Sequence, residues 1–164
     1  MAKMQPFWYF LKPPLLKQTL PVLNYVLETD QWEKYGVDPW LNINDGDTNA
    51  IGDHSLYGGL IQSYFNFSNT TVKTPTVVKF GITARSAGYY GRCIVYLWDG
   101  STWTAIATCH FSDGYETLEF NVESLLNTQA KINAARLKLV SYAINYGLDA
   151  IMVTYAYLYV EGYG

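Results

Sequence analysis

Ala150-Ile-Met-Val-Thr-Tyr-Ala-Tyr-Leu-Tyr-Val160 alternates residue by residue along its length. Side chains on a strand change face at every step. Alternation therefore assigns Ile151, Val153, Tyr155, Tyr157 and Tyr159 to one face, and Ala150, Met152, Thr154, Ala156, Leu158 and Val160 to the other. The second face is aliphatic and small, suited to a core between two sheets. The first carries three tyrosines in succession, an outer surface built to touch a sugar, a neighbouring subunit or another strand.

Working back from this strand, the same pattern recurs. Val78, Phe80, Ile82 and Ala84 share a face, as do Leu118, Phe120 and Val122. Candidate strands fall at 60–67, 76–85, 91–98, 103–111, 115–122, 135–142 and 150–160, separated by turn signals such as Asn69-Thr-Thr, Ser86-Ala-Gly88, Asp99-Gly100, Asp113-Gly114 and Asn145-Tyr-Gly147. Many short strands with regular turns predict an all-β sandwich or barrel. Glu123 to Ala135 breaks the alternation and carries Leu125, Leu126, Ile132 and Ala134. It reads as a crossing connection with a helical turn, as a Greek key or jelly roll needs to change sheets.

The first sixty residues differ. Residues 30–60 read as a loop-rich lead-in. Residues 1–30 read as an arm, aromatic and broken by proline at Gln5-Pro-Phe-Trp-Tyr-Phe-Leu-Lys-Pro-Pro14. Proline removes a backbone donor and argues against a central strand. The spacing of apolar residues from Leu15 to Leu27 predicts an extended segment with a short helix over Pro21 to Thr29. Phe7, Trp8, Tyr9, Phe10 and Leu11 have no core of their own and must be buried against something, either the chain's own sandwich or a neighbour. The domain reading is thus an arm at 1–30 and a jelly-roll sandwich at 31–164.

Composition narrows the function. Of 164 residues, 49% are apolar, 16% aromatic and only 15% charged, with fifteen tyrosines. That excludes a disordered chain and predicts a surface that is partly covered in the working state. The net charge of −3 comes without basic blocks, so direct nucleic-acid binding is not expected. No apolar run is long enough to span a bilayer. Met1 to Pro21 lacks the features of a signal peptide, so either the protein is made without Sec export, which the initiating Met favours, or a signal has been removed.

Catalytic constellations are weak. Nucleophilic catalysis needs a base beside the nucleophile, and the histidines are His54, in a loop sequence Gly52-Asp-His-Ser55, and His110, beside Phe111. Paired carboxylates for glycoside hydrolysis would come from Asp99, Asp113, Glu116, Glu119 and Glu123, most of them at turns or on a polar strand face. No enzyme is expected. Asn42, Asn44, Asp45, Asp47 and Asn49 offer hard oxygen donors, and Asn44, Asp45, Asp47 and Asn49 are candidate ligands for a structural calcium ion. No glutamate closes an EF-hand loop there, and turn chemistry alone also explains the cluster. No other cofactor is implied. Cys93 and Cys109 flank the Trp98-Asp-Gly-Ser-Thr-Trp103 turn, either as two small buried hydrophobes or as a cross-strand disulfide. Asn66-Phe-Ser68 and Asn69-Thr-Thr71 match glycosylation sequons, of little meaning without a secretory signal. Tyr89, Tyr90, Trp98 and Trp103 lie at turns or strand ends, and Trp98 and Trp103 are candidate sugar-stacking residues.

The order of features resembles a known architecture over about residues 38 to 162. Trp40-Leu-Asn-Ile-Asn-Asp-Gly-Asp-Thr-Asn49 leads into a strand ending Tyr64-Phe-Asn-Phe67. Val77 to Ala84 follows, then the hairpin Val95 to Trp103, the segments Glu119-Phe-Asn-Val122, Leu125-Leu-Asn-Thr128 and Ile132 to Leu139, and the closing strand Ile151 to Val160. This is similar to the jelly-roll sandwiches of virion proteins from phages and archaeal viruses, and to the galactose-binding-like carbohydrate modules that share the architecture. The resemblance implies a viral structural protein in a capsid or virion appendage, made in the host cytoplasm. Its partners would be copies of itself and other virion proteins, held by the arm and by the tyrosine face. Each arm aromatic so buried would contribute on the order of 2 kcal/mol, and a chain lacking residues 1–20 would fold but not assemble. The alternative implied by the same resemblance is a carbohydrate-binding module or receptor-binding fibre domain, in which Trp98, Trp103 and the tyrosines stack on glycan.

Overall fold

Alternating burial organises the chain into strands. In a computed structural model, the structure describes residues 13–26, 32–34, 51–53, 60–86, 92–142 and 151–164. The strands are β1 (Leu15–Val26), β2 (Trp32–Lys34), β3 (Ile51–Asp53), β4 (Leu60–Phe67), β5 (Thr74–Ser86), β6 (Arg92–Trp98), β7 (Trp103–His110), β8 (Glu116–Asn121), β9 (Arg136–Tyr142) and β10 (Ile151–Tyr163). One short helix, α1 (Gln129–Ala134), lies in the β8–β9 connection.

Every strand pairing among the described residues is antiparallel. Sheet A has the order β1-β10-β5-β8, with β3 and then β2 continuing beside the start of β10. Sheet B has the order β4-β9-β6-β7, with the second half of β1 on the free side of β4. The chain passes from one sheet to the other between β4, β5 and β6, and again from β7 through to β10. That is the double Greek key of a jelly roll. The predicted all-β jelly-roll sandwich is the observed fold.

Between the sheets lie Phe65, Phe67, Phe80, Ile82, Leu97, Leu137 and Leu158, all buried. Phe67 of sheet B meets Phe80 of sheet A edge-on at 6.5 Å, and Phe80 stacks on its sheet neighbour Phe120. The connection after β8 closes the core with Leu126 and Ile132. Its helix is capped by Thr128, whose hydroxyl accepts from the Lys131 N–H at 3.3 Å.

Two expectations about the strands are corrected. The first concerns the arm. Leu15–Val26 is a strand of both sheets: Leu15 to Pro21 pair with β10, and Val22 to Val26 pair with β4. It is neither an arm nor, over Pro21 to Val26, a helix. Pro21 stands at the corner where the strand changes sheets. It has no N–H to give to a ladder, and its carbonyl accepts instead from the Ser68 N–H at 2.9 Å. Gln18 fastens the same strand sideways. Its amide oxygen accepts from the Thr70 hydroxyl at 2.6 Å and the Thr71 N–H at 3.0 Å, while Thr70 is held to the helix side by Asn133 and Gln129. A chain cut at residue 20 would lose half of this strand and the buried Leu20, so the intact fold expected of that truncation is withdrawn. Phe7, Trp8, Tyr9, Phe10 and Leu11 lie outside the described residues.

The second correction concerns β10 itself. Val153 pairs with Ala84 and Tyr155 with Thr83, leaving Thr154 as an extra residue. This β-bulge reverses the alternation. Ile151 and Val153 therefore point into the core along with Ala156, Leu158 and Val160, and do not share a face with the tyrosines. Part of the loop-rich lead-in is also regular, because β2 and β3 form a short ladder on sheet A.

Cys93 and Cys109 are register partners across β6 and β7, as the symmetry of the hairpin predicted. Both are buried thiols, and burial pushes the Cys109 thiol up to about 11. No helix among the described residues is long and apolar enough to cross a membrane.

Candidate functional site

A sandwich leaves two outward faces, and the sequence puts aromatic residues on both. On sheet A, the bulge aims Tyr155, Tyr157 and Tyr159 outward as a half-buried row. Tyr157 sits opposite Gly81, and a Cβ at Gly81 would run into its ring. The absent side chain lets the ring lie across β5 and reach β8, where its hydroxyl donates to Glu119 at 2.8 Å. Lys79 completes the group at 3.1 Å from the same carboxylate. One step along, the Tyr159 hydroxyl donates to Glu161 at 2.9 Å, and Lys17 of β1 lies 3.3 Å from that carboxylate. Tyr155 packs against Tyr157 with ring centroids 5.1 Å apart.

Electrostatics follow from these contacts. The Tyr157 hydroxyl, then Lys79, holds Glu119 below the usual carboxylate range, and Tyr159, then Lys17, does the same for Glu161. Burial, reinforced by Glu119, pushes the Tyr157 phenol up to about 12. The hydroxyls of Tyr157 and Tyr159 are thus already committed within their own sheet.

Sheet B presents a different surface. The turn between β6 and β7 makes Trp98 and Trp103 register partners, with ring centroids 5.6 Å apart and tilted by 50°. Asp99 builds the turn: its Oδ1 accepts from the Ser101 N–H, the Ser101 hydroxyl and the Thr102 N–H at 2.8 to 2.9 Å. Those bonds, the one from Thr102 foremost, hold its carboxyl well below the usual range. Gly100 takes a φ of +100°, open to glycine at little cost. Lys131 of the helix bridges to the turn, 3.4 Å from Asp99.

Inward from the tryptophan pair runs the row Tyr64, Lys138, Tyr96, contributed by β4, β9 and β6. Trp103 meets Tyr64 edge-on at 5.5 Å. The Lys138 ammonium lies 4.3 Å from the Tyr96 ring centroid, 5.0 Å from that of Trp103 and 5.9 Å from that of Tyr64. Arg136 follows on the same strand and face, in the row Asn66, Arg136, Trp98, Trp103.

The structure thus brings Trp98 and Trp103 together, and separates them from Tyr155, Tyr157 and Tyr159 by the thickness of the sandwich. The residues that sequence reasoning missed are Tyr64, Tyr96, Arg136 and Lys138. Their outward direction was legible, since Tyr64 precedes buried Phe65, Tyr96 lies between Val95 and Leu97, and Lys138 lies between Leu137 and Leu139. Their adjacency was not, because it requires the strand order β4-β9-β6-β7.

Among the described residues, the remaining candidates are not gathered into one reactive centre. Glu116 accepts from the Ser112 N–H at 2.7 Å, Asp99 and Glu119 are engaged as described, and Asp113, Glu123 and His110 are exposed. Among the described residues no group of three His, Cys, Asp or Glu side chains could hold a metal. The calcium candidates Asn44, Asp45, Asp47 and Asn49, with Asn42, His54, Tyr89 and Tyr90, lie outside the described residues.

No protein-family model matches the chain, and no curated protein matches it. Solved structures of similar fold include a family 61 carbohydrate-binding module in complex with β-1,4-galactotriose, with a TM-score of 0.49, 11% identity and coverage of 88% of this chain and 87% of that one. A family 29 carbohydrate-binding module gives 0.48, 11%, 90% and 90%. A family 29 module from Piromyces equi gives 0.42, 12%, 90% and 91%. At these values the likeness says nothing about what this chain binds.

Proposed function

We propose that this protein is a glycan-binding module whose binding surface is the outer face of sheet B. One observation carries the reading: the hairpin sets Trp98 and Trp103 side by side at the end of a face that continues into Tyr96 and Tyr64. Pyranose rings offer C–H-rich faces that stack on indole and phenol rings. Their hydroxyls need polar neighbours at the rim, and Arg136 and Lys138 stand among these rings. Trp and Tyr supply such contact area at low entropic cost because they carry few rotatable bonds.

Assembly as a virion subunit drew on two features. The tyrosine row spends the hydroxyls of Tyr157 and Tyr159 on its own sheet, and the arm from Phe7 to Leu11 lies outside the described residues. What supports glycan binding is the described cluster of Trp98, Trp103, Tyr96 and Tyr64 on sheet B.

The test is a glycan array followed by titration of tryptophan fluorescence with the best sugar. Saturable quenching or a spectral shift is expected, weakened about tenfold or more in Trp103→Ala, the size of one well-stacked ring. Tyr159→Phe on the opposite face should leave affinity unchanged. No binding to any sugar, or equal loss from both variants, defeats the proposal.

A further inference from the structure

The sugar face is not electrically neutral. Its described positions include Arg136 and Lys138, and no aspartate or glutamate among the described residues points outward from β4, β6, β7 or β9. The chain as a whole carries −3, so among the described residues this face runs against the overall balance. On sheet A, Lys17 and Lys79 are each matched by a carboxylate, while Arg85 lies against Met152 and over the Tyr115 ring.

Arg136 and Lys138 have no carboxylate partner among the described residues. Lys138 is instead surrounded by the rings of Tyr96, Trp103 and Tyr64. A ring quadrupole attracts an ammonium but does not neutralise it. The two cations are two residues apart on one strand, about 7 Å along it, and Arg136 shares its row with the tryptophan pair.

We infer that the sheet B face selects carboxylated sugars, namely oligosaccharides of uronic acids. This deepens the glycan reading and rests on it. A uronate sugar carries its carboxylate on the edge of the ring, so a ring stacked on Trp98 or Trp103 would turn that edge to its neighbours in the row. The guanidinium of Arg136 is the fork that matches a planar carboxylate, and Lys138, set among the rings, supplies a second point charge. The carboxylate would bring the acidic partner that neither cation has among the described residues.

The experiment titrates the full chain with four probes of matched length: a neutral galactose oligomer, the corresponding galacturonate oligomer, a sulfated galactose oligomer and oligo(dT). The galacturonate oligomer should bind about tenfold tighter than the neutral one, as expected for one charge-assisted hydrogen bond. The advantage should shrink as salt rises. Arg136→Gln should abolish most of it, read as the ratio of galacturonate to neutral-oligomer affinity in the variant against the same ratio in the unmodified chain. Because Arg136 is exposed, that variant folds, and Lys138→Gln provides a second reading checked by its melting curve. Preference for the sulfated sugar or for oligo(dT), equal binding of neutral and acidic sugars, or an undiminished preference in Arg136→Gln overturns the inference. In the case of equal binding the glycan reading survives; it fails separately if no sugar binds at all.

Discussion

The two outer faces of this sandwich are both rich in aromatic rings, yet they are built in opposite ways. On sheet A the tyrosines finish their own chemistry: Tyr157 reaches Glu119 and Tyr159 reaches Glu161, each carboxylate also answered by a lysine. On sheet B the rings surround a cation, and Arg136 and Lys138 have no acidic partner among the described residues. Counting aromatics does not separate a structural face from a binding face. Asking which polar groups are already satisfied is what favours sheet B as the proposed binding face, because a satisfied group must break a bond before it can make a new one.

The largest effect should come from the strand that serves both faces. Deleting residues 1–20 removes the sheet A half of β1, with buried Leu20 and the Gln18 bonds to Thr70 and Thr71. The expected outcome in thermal denaturation is a transition lowered by more than about 10 °C or lost altogether. A deletion of residues 1–12, which leaves β1 whole, is the control. If both truncations melt alike, β1 is not the shared element.

Gly81→Val strikes sheet A alone. The new side chain must push the Tyr157 ring off β5 and break its bond to Glu119. A loss of about 1–3 kcal/mol is expected in urea denaturation, with sugar affinity unchanged. A change in affinity would show that the faces are coupled through the core.

Sheet A should also respond to pH at both extremes. Glu119 and Glu161 have depressed values in the folded state, so their contribution is present above the unfolded carboxylate value and fades as acid titrates them through the lower folded ones. The Tyr157 phenol is raised to about 12, so its contribution is complete below the unfolded tyrosine value and is lost as pH climbs from there through about 12. Urea midpoints of Tyr157→Phe should therefore lack part of the alkaline loss, the remainder coming from the raised Cys109, Tyr155 and Tyr159, and part of the acid loss. An identical profile would break the assignment.

The smallest effect is at the Thr83 and Thr117 hydroxyls, 2.7 Å apart across β5 and β8. Thr117→Val should cost less than about 1 kcal/mol, as for one cross-strand pair on an exposed face. Its midpoint in urea checks this, and a larger loss would make this edge more important to sheet A than the tyrosine row.

What the amino-acid order determined by itself was local. Period-two alternation marked the strands from Leu60 onward and the inward faces of β5 and β8, and the Asp-Gly turn placed Trp98 and Trp103 at the ends of one hairpin. These signals are carried by neighbours in sequence, where backbone geometry leaves few choices. Three things were decided only by tertiary structure. Pro21 looked like a strand breaker until the chain used it as a corner between sheets. The run through Val153 and Tyr155 looked unbroken until pairing with β5 inserted a bulge at Thr154 and turned Ile151 and Val153 inward. Lys138 looked like any outward lysine until strand order set it among rings from β4, β6 and β7. In each case the deciding partner lies far away in sequence, on another strand, and only the assembled sheets bring it close.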